Sequence, residues 1–206
     1  MSIKLKHSGG NSVSLNPPTS APTSSEVAFK LPNADGSADQ VLKTDGSGNL
    51  GFVAQNLGIS MVDQWSITGD NNKSDDQIID LNWERADYYF AQIGTGLTYQ
   101  GLGVWTFPQT GVYLIMCKFT MNASSPSYSG VKVEVSTDTG SNYSRIGFGY
   151  LNPNGYENLS FHAVFDVQNT GTHRFRLKAM NDASTQYSGD TNALRSGFTV
   201  IRLGDT

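Results

Sequence analysis

Residues 103–115 constrain the fold of this chain more than any other segment, because they join two strand patterns across a sharp break. A β-rich run ends at Phe107, and Pro108 follows, which cannot donate a hydrogen bond to a β ladder. Gly111 permits a tight turn before a second apolar run over residues 112–121. Strand, proline, turn and strand in so few residues predict a compact β corner.

Residues 59–206 continue in the same way, with turn signals between short β-rich runs and no convincing helix. Val131, Val133 and Val135 alternate with polar residues, which is typical of a half-buried strand. We predict strands at residues 65–67, 78–83, 87–94, 104–107, 112–121, 131–136, 145–151, 161–167, 173–179 and 198–203, and a polar loop at 69–76. The strands at 161–167 and 173–179 are expected to pair through the turn at 168–171. Such a series predicts one all-β domain, a β-sandwich or barrel.

Composition supports this fold class and limits the possible partners. Charged residues make up only 16% of the chain and glycine is frequent at 22 residues, which argues against a helical protein. A net charge of -4 makes nucleic acid a poor partner, because phosphate binding needs clustered Lys and Arg. The one basic stripe, Arg174, Arg176 and Lys178, alternates with apolar residues along a strand. We interpret it as a solvated strand face, with a patch for an acidic ligand as the alternative.

The single cysteine, Cys117, lies in the apolar run and is predicted to be a small buried core residue. One cysteine excludes an intrachain disulfide, and no Cys/His spacing suggests zinc. No apolar stretch follows Lys4 and Lys6, so we expect no signal peptide, and no apolar run is long enough for a transmembrane helix. We therefore expect a protein without a cofactor or a membrane partner.

Residues 1–58 differ from the rest, because their apolar positions are few and often alternate, as at Ile3 and Leu5. Glycines, prolines and two Asp-Gly-Ser triplets, residues 35–37 and 45–47, separate them. Asp-Gly is a hairpin turn signal, so the triplets predict turn, short strand, turn. A segment so poor in apolar surface cannot offset its chain entropy alone. We expect an N-terminal particle-anchoring arm, residues 1–58, that is ordered against a partner, and one domain, residues 59–206.

The corner resembles the central motif of the C1q/TNF-like jelly-roll superfamily, in which an aromatic residue and proline end one strand and a Gly-x-Tyr step opens the longest core strand. The closing segment, residues 196–203, resembles the last strand of that fold. The resemblance covers residues 60–206 and implies a C1q/TNF-like jelly-roll β-sandwich that assembles as a homotrimer. It also implies that six residues pack in the core or at the trimer contact: Trp105, Phe107, Pro108, Gly111, Tyr113 and Phe198.

The arm resembles opening and attachment segments of structural proteins from tailed bacteriophages, especially phages of cyanobacteria. One matching stretch is residues 3–11, and the other joins residues 31–32 to the Gln-Val-Leu-Lys-Thr-Asp-Gly-Ser run that begins at Gln40. Gly51 departs from the Ser or Thr that usually precedes the aromatic residue here, and no long shaft follows. The resemblance implies a short fibre or knob on a phage particle rather than a long tail fibre.

We therefore expect a virion structural protein whose arm binds other virion proteins of the capsid or tail. Its C-terminal domain would trimerise and attach the particle to a glycan or protein of the host surface. A capsid decoration or cement protein that stabilises the head lattice is the alternative, with the same arm and trimer. A secreted C1q-like binding module is a third class, and the phage-like arm and the missing signal peptide count against it.

Catalytic and metal-binding patterns are weak. The histidines, His7, His162 and His173, are dispersed, with His162 expected to face away from the core, and no nucleophile elbow is present. We therefore expect no enzymatic activity. Residues 70–76 place oxygen side chains at alternate positions, as calcium loops do, but they lack the glycine and glutamate of an EF-hand. We interpret them as a polar loop, with a calcium site as the alternative.

Several tyrosines in or beside polar loops are candidates for sugar or protein contact, because a tyrosine combines an apolar ring with a polar hydroxyl. Sandwich edges and trimer interfaces carry such residues as well, so both interpretations stay open. The candidates are Tyr128, Tyr143, Tyr150, Tyr156 and Tyr187.

Overall fold

The computed structural model describes residues 3–24, 26–54, 58–86, 88, 90, 92–124 and 126–206. β-Strands and loops make up these residues, and none of them is helical, which confirms the predicted all-β class. The chain divides into two units, Met1–Leu57 and Gly58–Thr206. In the described ranges no helix with the length and apolar character of a membrane span is found.

The first unit contains two antiparallel hairpins, built from four strands: β1 (Ile3–Lys6), β2 (Ser12–Leu15), β3 (Gln40–Thr44) and β4 (Leu50–Ala54). The turn predicted at residues 45–47 is confirmed, because Asp45 Oδ1 accepts a hydrogen bond from the backbone N–H of Ser47 at 2.8 Å and closes the β3–β4 hairpin. The other predicted turn lies slightly later, next to Asp39, whose φ of 64° is left-handed.

The second unit contains twelve strands: β5 (Val62–Ile67), β6 (Asn71–Lys73), β7 (Trp83–Arg85), β8 (Thr98–Gly101), β9 (Val104–Thr106), β10 (Gly111–Ser124), β11 (Ser129–Ser136), β12 (Ser144–Leu151), β13 (Asn154–Val167), β14 (Arg174–Asn181), β15 (Thr185–Tyr187) and β16 (Gly197–Gly204). Seven of them form one sheet, in which the hydrogen-bonded order is β6-β15-β10-β16-β5-β7. β15 and β16 pair with different parts of one edge of β10, and β13 pairs with its other edge. The other five form a sheet in the order β12-β11-β14-β9-β8. Apolar side chains from both sheets share one core, so the unit is a β-sandwich.

The predicted corner is confirmed, and it carries the chain from one sheet to the other. β9 belongs to the five-stranded sheet, whereas β10, which starts at Gly111, belongs to the seven-stranded sheet. Gly111 has a φ of 138°, and a Cβ there would lie 2.4 Å from the carbonyl oxygen of Gly204. Phe107 turns into the core and contacts the ring of Tyr113, with centroids 4.7 Å apart. The corner therefore needs both the glycine and the two aromatic rings.

Aromatic side chains fill the centre of the sandwich. Trp105 is fully buried and makes edge contacts with Trp83 at 4.9 Å and Phe198 at 4.8 Å. Phe175 stacks on the indole of Trp105 at 5.3 Å. These rings come from both sheets and hold them together. Cys117 lies in the same core, as predicted, and burial raises the pKa of its thiol far above the usual range.

One carboxylate is buried with these apolar residues. Asp63 on β5 accepts hydrogen bonds from Arg85 Nε at 2.8 Å, from the Trp65 indole N–H at 3.0 Å and from the backbone N–H of Leu97 at 2.7 Å. Arg85 also donates to the carbonyl of Leu97 at 2.7 Å. The buried charge is therefore paired and fully hydrogen-bonded, and it links β5, β7 and the segment before β8.

The predicted pairing between residues 161–167 and 173–179 is wrong. β13 pairs with β10 along its whole length, whereas β14 pairs with β11 and β9 in the other sheet. The carbonyl of Asn169 accepts hydrogen bonds from the backbone N–H groups of Thr172 and His173, which shape the connection. This turn crosses between the layers of the sandwich, so two consecutive strands do not become neighbours in one sheet.

Three other sequence assignments differ from the structure. The predicted strand at 78–83 is wrong, because the strand is β7, and residue Ile79 instead donates its N–H to the carbonyl of Leu177 on β14 at 3.0 Å. The predicted loop at 69–76 contains β6, which pairs with β15. Of the predicted strand at 87–94, residues 87, 89 and 91 lie outside the described residues, and Ile93 forms an isolated bridge with Val62. Strands of three residues are too short for alternation to reveal them.

Candidate functional site

β12 presents its aromatic side chains to the outside of the sandwich and its glycines to the core. A Cβ added at Gly147 would lie 2.9 Å from the Cβ of Ala163, and one at Gly149 would lie 2.9 Å from a methyl carbon of Leu159. Phe148 and Tyr150 therefore stand on the opposite face, where they are 47% and 58% exposed. This strand reverses the usual distribution, in which large apolar side chains face the core.

Two residues from neighbouring segments join these rings. Met180 on β14 and Tyr150 on β12 flank Gly130 on β11, which is the cross-strand partner of both. The ring of Tyr128, just before β11, meets the ring of Tyr150 at 6.2 Å and 71°. Together these segments form a shallow depression of about 350 Å³, which is lined by Ser127, Tyr128, Tyr150 and Met180. We call Tyr128, Phe148, Tyr150 and Met180 the aromatic shelf.

An ion-pair network borders the aromatic shelf. Lys132 lies opposite Phe148 in the β11–β12 ladder, and its Nζ is 2.5 Å from Asp76 Oδ1. Lys178 on β14 contacts the other oxygen of Asp76 at 2.7 Å. The hydrogen bond from Lys132, followed by the one from Lys178, lowers the pKa of Asp76 from 3.8 to about 2. A carboxylate that stays ionised, with two ammonium groups, thus lies at the Phe148 end of the shelf.

The basic stripe predicted to be a solvated face is largely ion-paired. Lys178 is buried and bonded to Asp76, so its charge is compensated. Arg176 Nη2 is 2.7 Å from Glu134 Oε2, and its guanidinium covers the ring of Tyr143 at 3.7 Å. The interpretation as a solvated strand face is therefore wrong for these two residues, because cross-strand acids and an aromatic ring cover them.

Apolar side chains cross the outward face of the seven-stranded sheet in one line. The ladders place Leu114 on β10 opposite both Val164 on β13 and Ile201 on β16, and Ile201 opposite Val62 on β5. Their chain neighbours point into the core, so alternation puts these four on the outside. We call Val62, Leu114, Val164 and Ile201 the apolar row. It spans four adjacent strands without a charged residue.

The β1–β2 hairpin has one apolar and one polar face. Ile3 pairs with Leu15 and Leu5 pairs with Val13, so all four aliphatic side chains lie on the same side. They are between 63% and 70% exposed. Lysines and serines occupy the other side, at Lys4, Lys6, Ser12 and Ser14. We call Ile3, Leu5, Val13 and Leu15 the hairpin face.

The structure separates the tyrosines predicted as ligand contacts. Tyr128 and Tyr150 belong to the aromatic shelf, and Tyr156 is exposed on β13 with the Arg195 guanidinium 5.1 Å from its ring. Tyr187 is buried and donates its hydroxyl to the carbonyl of Gly130 at 2.6 Å, so its prediction as a surface contact is wrong. Tyr143 is half-buried beneath Arg176.

Phe148 and Met180 were missed by sequence reasoning, although a signal was present. Gly147-Phe148-Gly149-Tyr150 alternates glycine with aromatic residues, and glycine is poor at filling a core position. Either face of such a strand could have been assigned to the core from the alternation alone. The six residues implied by the family resemblance lie elsewhere: Trp105, Phe107, Tyr113 and Phe198 in the core, and Pro108 and Gly111 at the corner.

The three histidines have different surroundings. His7 belongs to the turn of the first hairpin, where its Nδ1 accepts a hydrogen bond from the N–H of Gly9. His162 faces outward on β13, as predicted, opposite Met116 on β10. His173 is buried, with its ring 5.5 Å from that of Phe165.

The carboxylates of residues 70–76 point to separate partners. Asp70 accepts a hydrogen bond from the N–H of Gly189, Asp75 from the N–H of Asn181, and Asp76 binds two lysines. Among the residues with described positions, no group of three or more His, Cys, Asp or Glu side chains could hold a metal ion. The oxygen atoms of this segment therefore stabilise the fold locally.

No protein-family model matches this chain, and no curated protein sequence matches it. Solved structures do resemble it. The Eiger TNF of S. frugiperda has a TM-score of 0.57 at 15% identity, over 71% of this chain and 95% of that chain. Murine APRIL, in crystals at pH 8.0, has a TM-score of 0.53 at 14% identity, over 69% of this chain and 98% of that chain. Another crystal structure of murine APRIL, at pH 8.5, has a TM-score of 0.52 at 15% identity, over 69% of this chain and 98% of that chain.

At identities this low, the likeness concerns the fold alone. It confirms that the chain contains a TNF-like jelly-roll β-sandwich, as the corner and the closing strand predicted.

Proposed function

We propose that this chain is a homotrimeric structural protein of a tailed-phage particle, displayed as a short fibre or knob for attachment to the host surface. The first unit would bind other proteins of the capsid or tail. The second unit would trimerise and present its exposed aromatic surface outward. The observation that carries this proposal is the presence of two apolar surfaces in one chain: the exposed hairpin face, and the apolar row, in which Val164 is exposed and the other three side chains are half-buried.

The apolar row supports self-association of the second unit. Four aliphatic side chains on adjacent strands form a flat stripe without charge, whereas exposed faces of antiparallel sheets are normally polar. A closed ring of identical copies would cover this stripe in every copy. The TNF-like jelly roll, together with the family resemblance of the corner, favours three copies.

The hairpin face supports an anchoring role for the first unit. An isolated two-stranded hairpin is marginal in water, and this one exposes four aliphatic side chains. Its apolar face therefore needs a second layer from another protein. The resemblance of residues 3–11 and of the segment after Gln40 to phage attachment segments favours a virion protein as that layer.

Trimerisation would also strengthen attachment. Three copies of one weak binding surface act together, so avidity can exceed the affinity of one site by about 10²–10⁴ when all three reach their ligands. This arrangement suits a knob that meets a dense layer of host-surface molecules.

The decisive test is the location of the chain on the particle. We expect mass spectrometry to find the chain in gradient-purified particles, immunogold labelling to place it on a fibre or knob, and antibodies against it to block adsorption to host cells. Absence from purified particles would overturn the proposal. Labelling spread over the head, with adsorption unchanged and heads that break without the protein, would replace attachment by capsid cementing.

A further inference from the structure

The aromatic shelf has no role in the packing of the sandwich. Gly147 and Gly149 occupy the core-facing positions of β12, and Phe148 and Tyr150 point outward. A shift of the strand by one residue would bury these two rings instead. Exposed aromatic clusters on a soluble protein usually mark a binding surface. The shelf is therefore a candidate ligand-binding surface.

Hydrogen bonds hold the backbone around the shelf in place. The N–H of Ser127 donates to Asp182 Oδ2 at 2.6 Å, and the N–H of Asp182 donates to the carbonyl of Tyr128 at 3.2 Å. Beneath the shelf, the carbonyl of Gly130 accepts the hydroxyl of Tyr187 at 2.6 Å. A surface fixed in this way loses little conformational entropy when a ligand binds.

The floor of the depression is open because residue 130 is glycine. A Cβ at Gly130 would lie 2.1 Å from the carbonyl oxygen of Gly149 and 2.7 Å from the Cβ of Tyr150, so any other residue would push the β12 backbone, and Tyr150 with it, away from β11. The Tyr128 and Tyr150 rings meet at 71° and form a floor and a wall, with Met180 on the far side. The space of about 350 Å³ has room for a single pyranose ring with its substituents.

From this arrangement we propose that the aromatic shelf binds pyranose rings of a host-surface glycan, an inference that rests on the proposed attachment function. One face of a pyranose carries mainly C–H groups and packs on aromatic rings, while its edge carries hydroxyls. Tyr150 and Tyr128 supply the apolar contact. Asp76 and Lys132, beside Phe148, supply an ionised acceptor and a donor for the hydroxyl edge.

A glycan fits the shelf better than a protein does. Four side chains cannot supply the roughly 800 Å² per partner that a stable protein interface buries. Charged groups border the Phe148 end of the shelf, where the Arg145 guanidinium lies over the Phe148 ring at 4.7 Å and Asp76 is paired to Lys132 and Lys178. A narrow aromatic strip with a polar border matches a chain of sugar rings.

The test uses the full-length protein on an array of pyranose oligosaccharides, followed by calorimetry with the oligosaccharide that binds best. We expect Tyr150→Ala and Tyr128→Ala each to weaken binding about tenfold or more, and Tyr150→Phe to keep it within about threefold, because the ring supplies the contact. Tyr156→Ala is the matched control, since it removes an exposed tyrosine outside the shelf, and it should bind as the unaltered protein does. Circular dichroism should show all four variants folded.

Three results would overturn the inference. They are the absence of binding on the array, equal binding by the shelf variants, and an equal loss in Tyr156→Ala. Capture of a host protein that Tyr150→Ala abolishes, without glycan binding, would assign the shelf to a protein receptor instead. The proposed function can fail separately. If the chain binds sugars through the shelf but is absent from particles, the glycan site is retained and the virion role is rejected.

Discussion

The two units of this chain use the same alternation of apolar and polar residues with opposite results. In the jelly roll, alternate residues of β10 such as Tyr113 and Ile115 are fully buried, because a second sheet covers them. In the β1–β2 hairpin, the same alternation collects Ile3, Leu5 and their partners on one face that stays exposed. The difference teaches that alternation defines a face, but only a second layer turns that face into a core.

This comparison predicts where the stability of the chain resides. The second unit has a continuous core of aromatic and aliphatic side chains and should carry the cooperative unfolding transition. The first unit has two hairpins with exposed apolar residues and should contribute little until a partner binds. Five predictions test the contrast, and they run from the largest expected effect on unfolding to the smallest.

Tyr113→Ala should lower the free energy of unfolding by at least about 3 kcal/mol, because it empties a fully buried site beside Phe107 and removes the hydroxyl donated to the Gln109 carbonyl at 2.7 Å. Urea denaturation of the variant and the unaltered protein would measure this difference in the free energy of unfolding. The matched change in the first unit, Phe52→Ala, should cost less than about 0.5 kcal/mol. Equal losses at the two positions would contradict the contrast between the units.

Asp63→Ala should cost about 2–3 kcal/mol, because it leaves the guanidinium of Arg85 and the N–H of Leu97 without their acceptor in a buried site. The effect stays below the upper range for buried pairs, since Arg85 is partly exposed and can turn to water. Thermal unfolding would report it. Asp205→Ala, which removes an exposed partner of Arg202, serves as the control and should leave the melting temperature unchanged.

Gly147→Ala should cost about 1–3 kcal/mol, because the new methyl group would meet the Cβ of Ala163 at 2.9 Å and push β12 away from β13. Gly51→Ala in the first unit is the matched control, where nothing lies within 4 Å of the added Cβ. Its melting curve should overlay that of the unaltered protein. A neutral result for Gly147→Ala would mean that the glycine face of β12 is not packed on the core.

Asp76→Asn should destabilise the protein by less than about 1 kcal/mol at neutral pH, because the carboxylate is 61% exposed and solvent screens its two lysine partners. In the unaltered protein the pKa of Asp76 is lowered from 3.8 to about 2. The free energy that the ionised carboxylate adds to folding is therefore present above pH 4 and is lost as the pH falls through 2. Melting temperatures of the two proteins should therefore differ above pH 4 and converge near pH 2. Asparagine tolerates the φ of 58° at this position, so the substitution changes charge without backbone strain.

Replacing the hairpin face should have the smallest effect on unfolding and a large effect on assembly. We expect the double variant Leu5→Ser and Val13→Ser to unfold with the unaltered midpoint, because both side chains are already exposed. The proposed anchoring role predicts that incorporation into phage particles, measured by quantitative mass spectrometry, falls about tenfold or more. Lys4→Ser, on the polar face of the same hairpin, should incorporate normally. Normal incorporation of the double variant would locate the anchor elsewhere.

Much of the jelly roll could be predicted from the sequence, because its long strands repeat one pattern many times. The corner, the burial of Cys117 and the valine face of β11 followed from local chemistry. The pairing of β13 was mispredicted, since a turn signal does not tell whether the chain returns within its sheet or crosses to the other one. The aromatic shelf was predicted only through Tyr128 and Tyr150, as its other members depend on register.

By itself, the sequence determined the all-β class, the corner at Gly111 and the contrast between an N-terminal segment with few apolar residues and a domain with a hydrophobic core. These depend on local properties: proline and glycine geometry, alternation and the density of apolar residues. Only the tertiary structure decided which face of β12 points outward, and that Lys178 and Arg176 of the basic stripe are paired with Asp76 and Glu134. Those outcomes depend on strands distant in sequence, whose register brings side chains together only after the two sheets have packed.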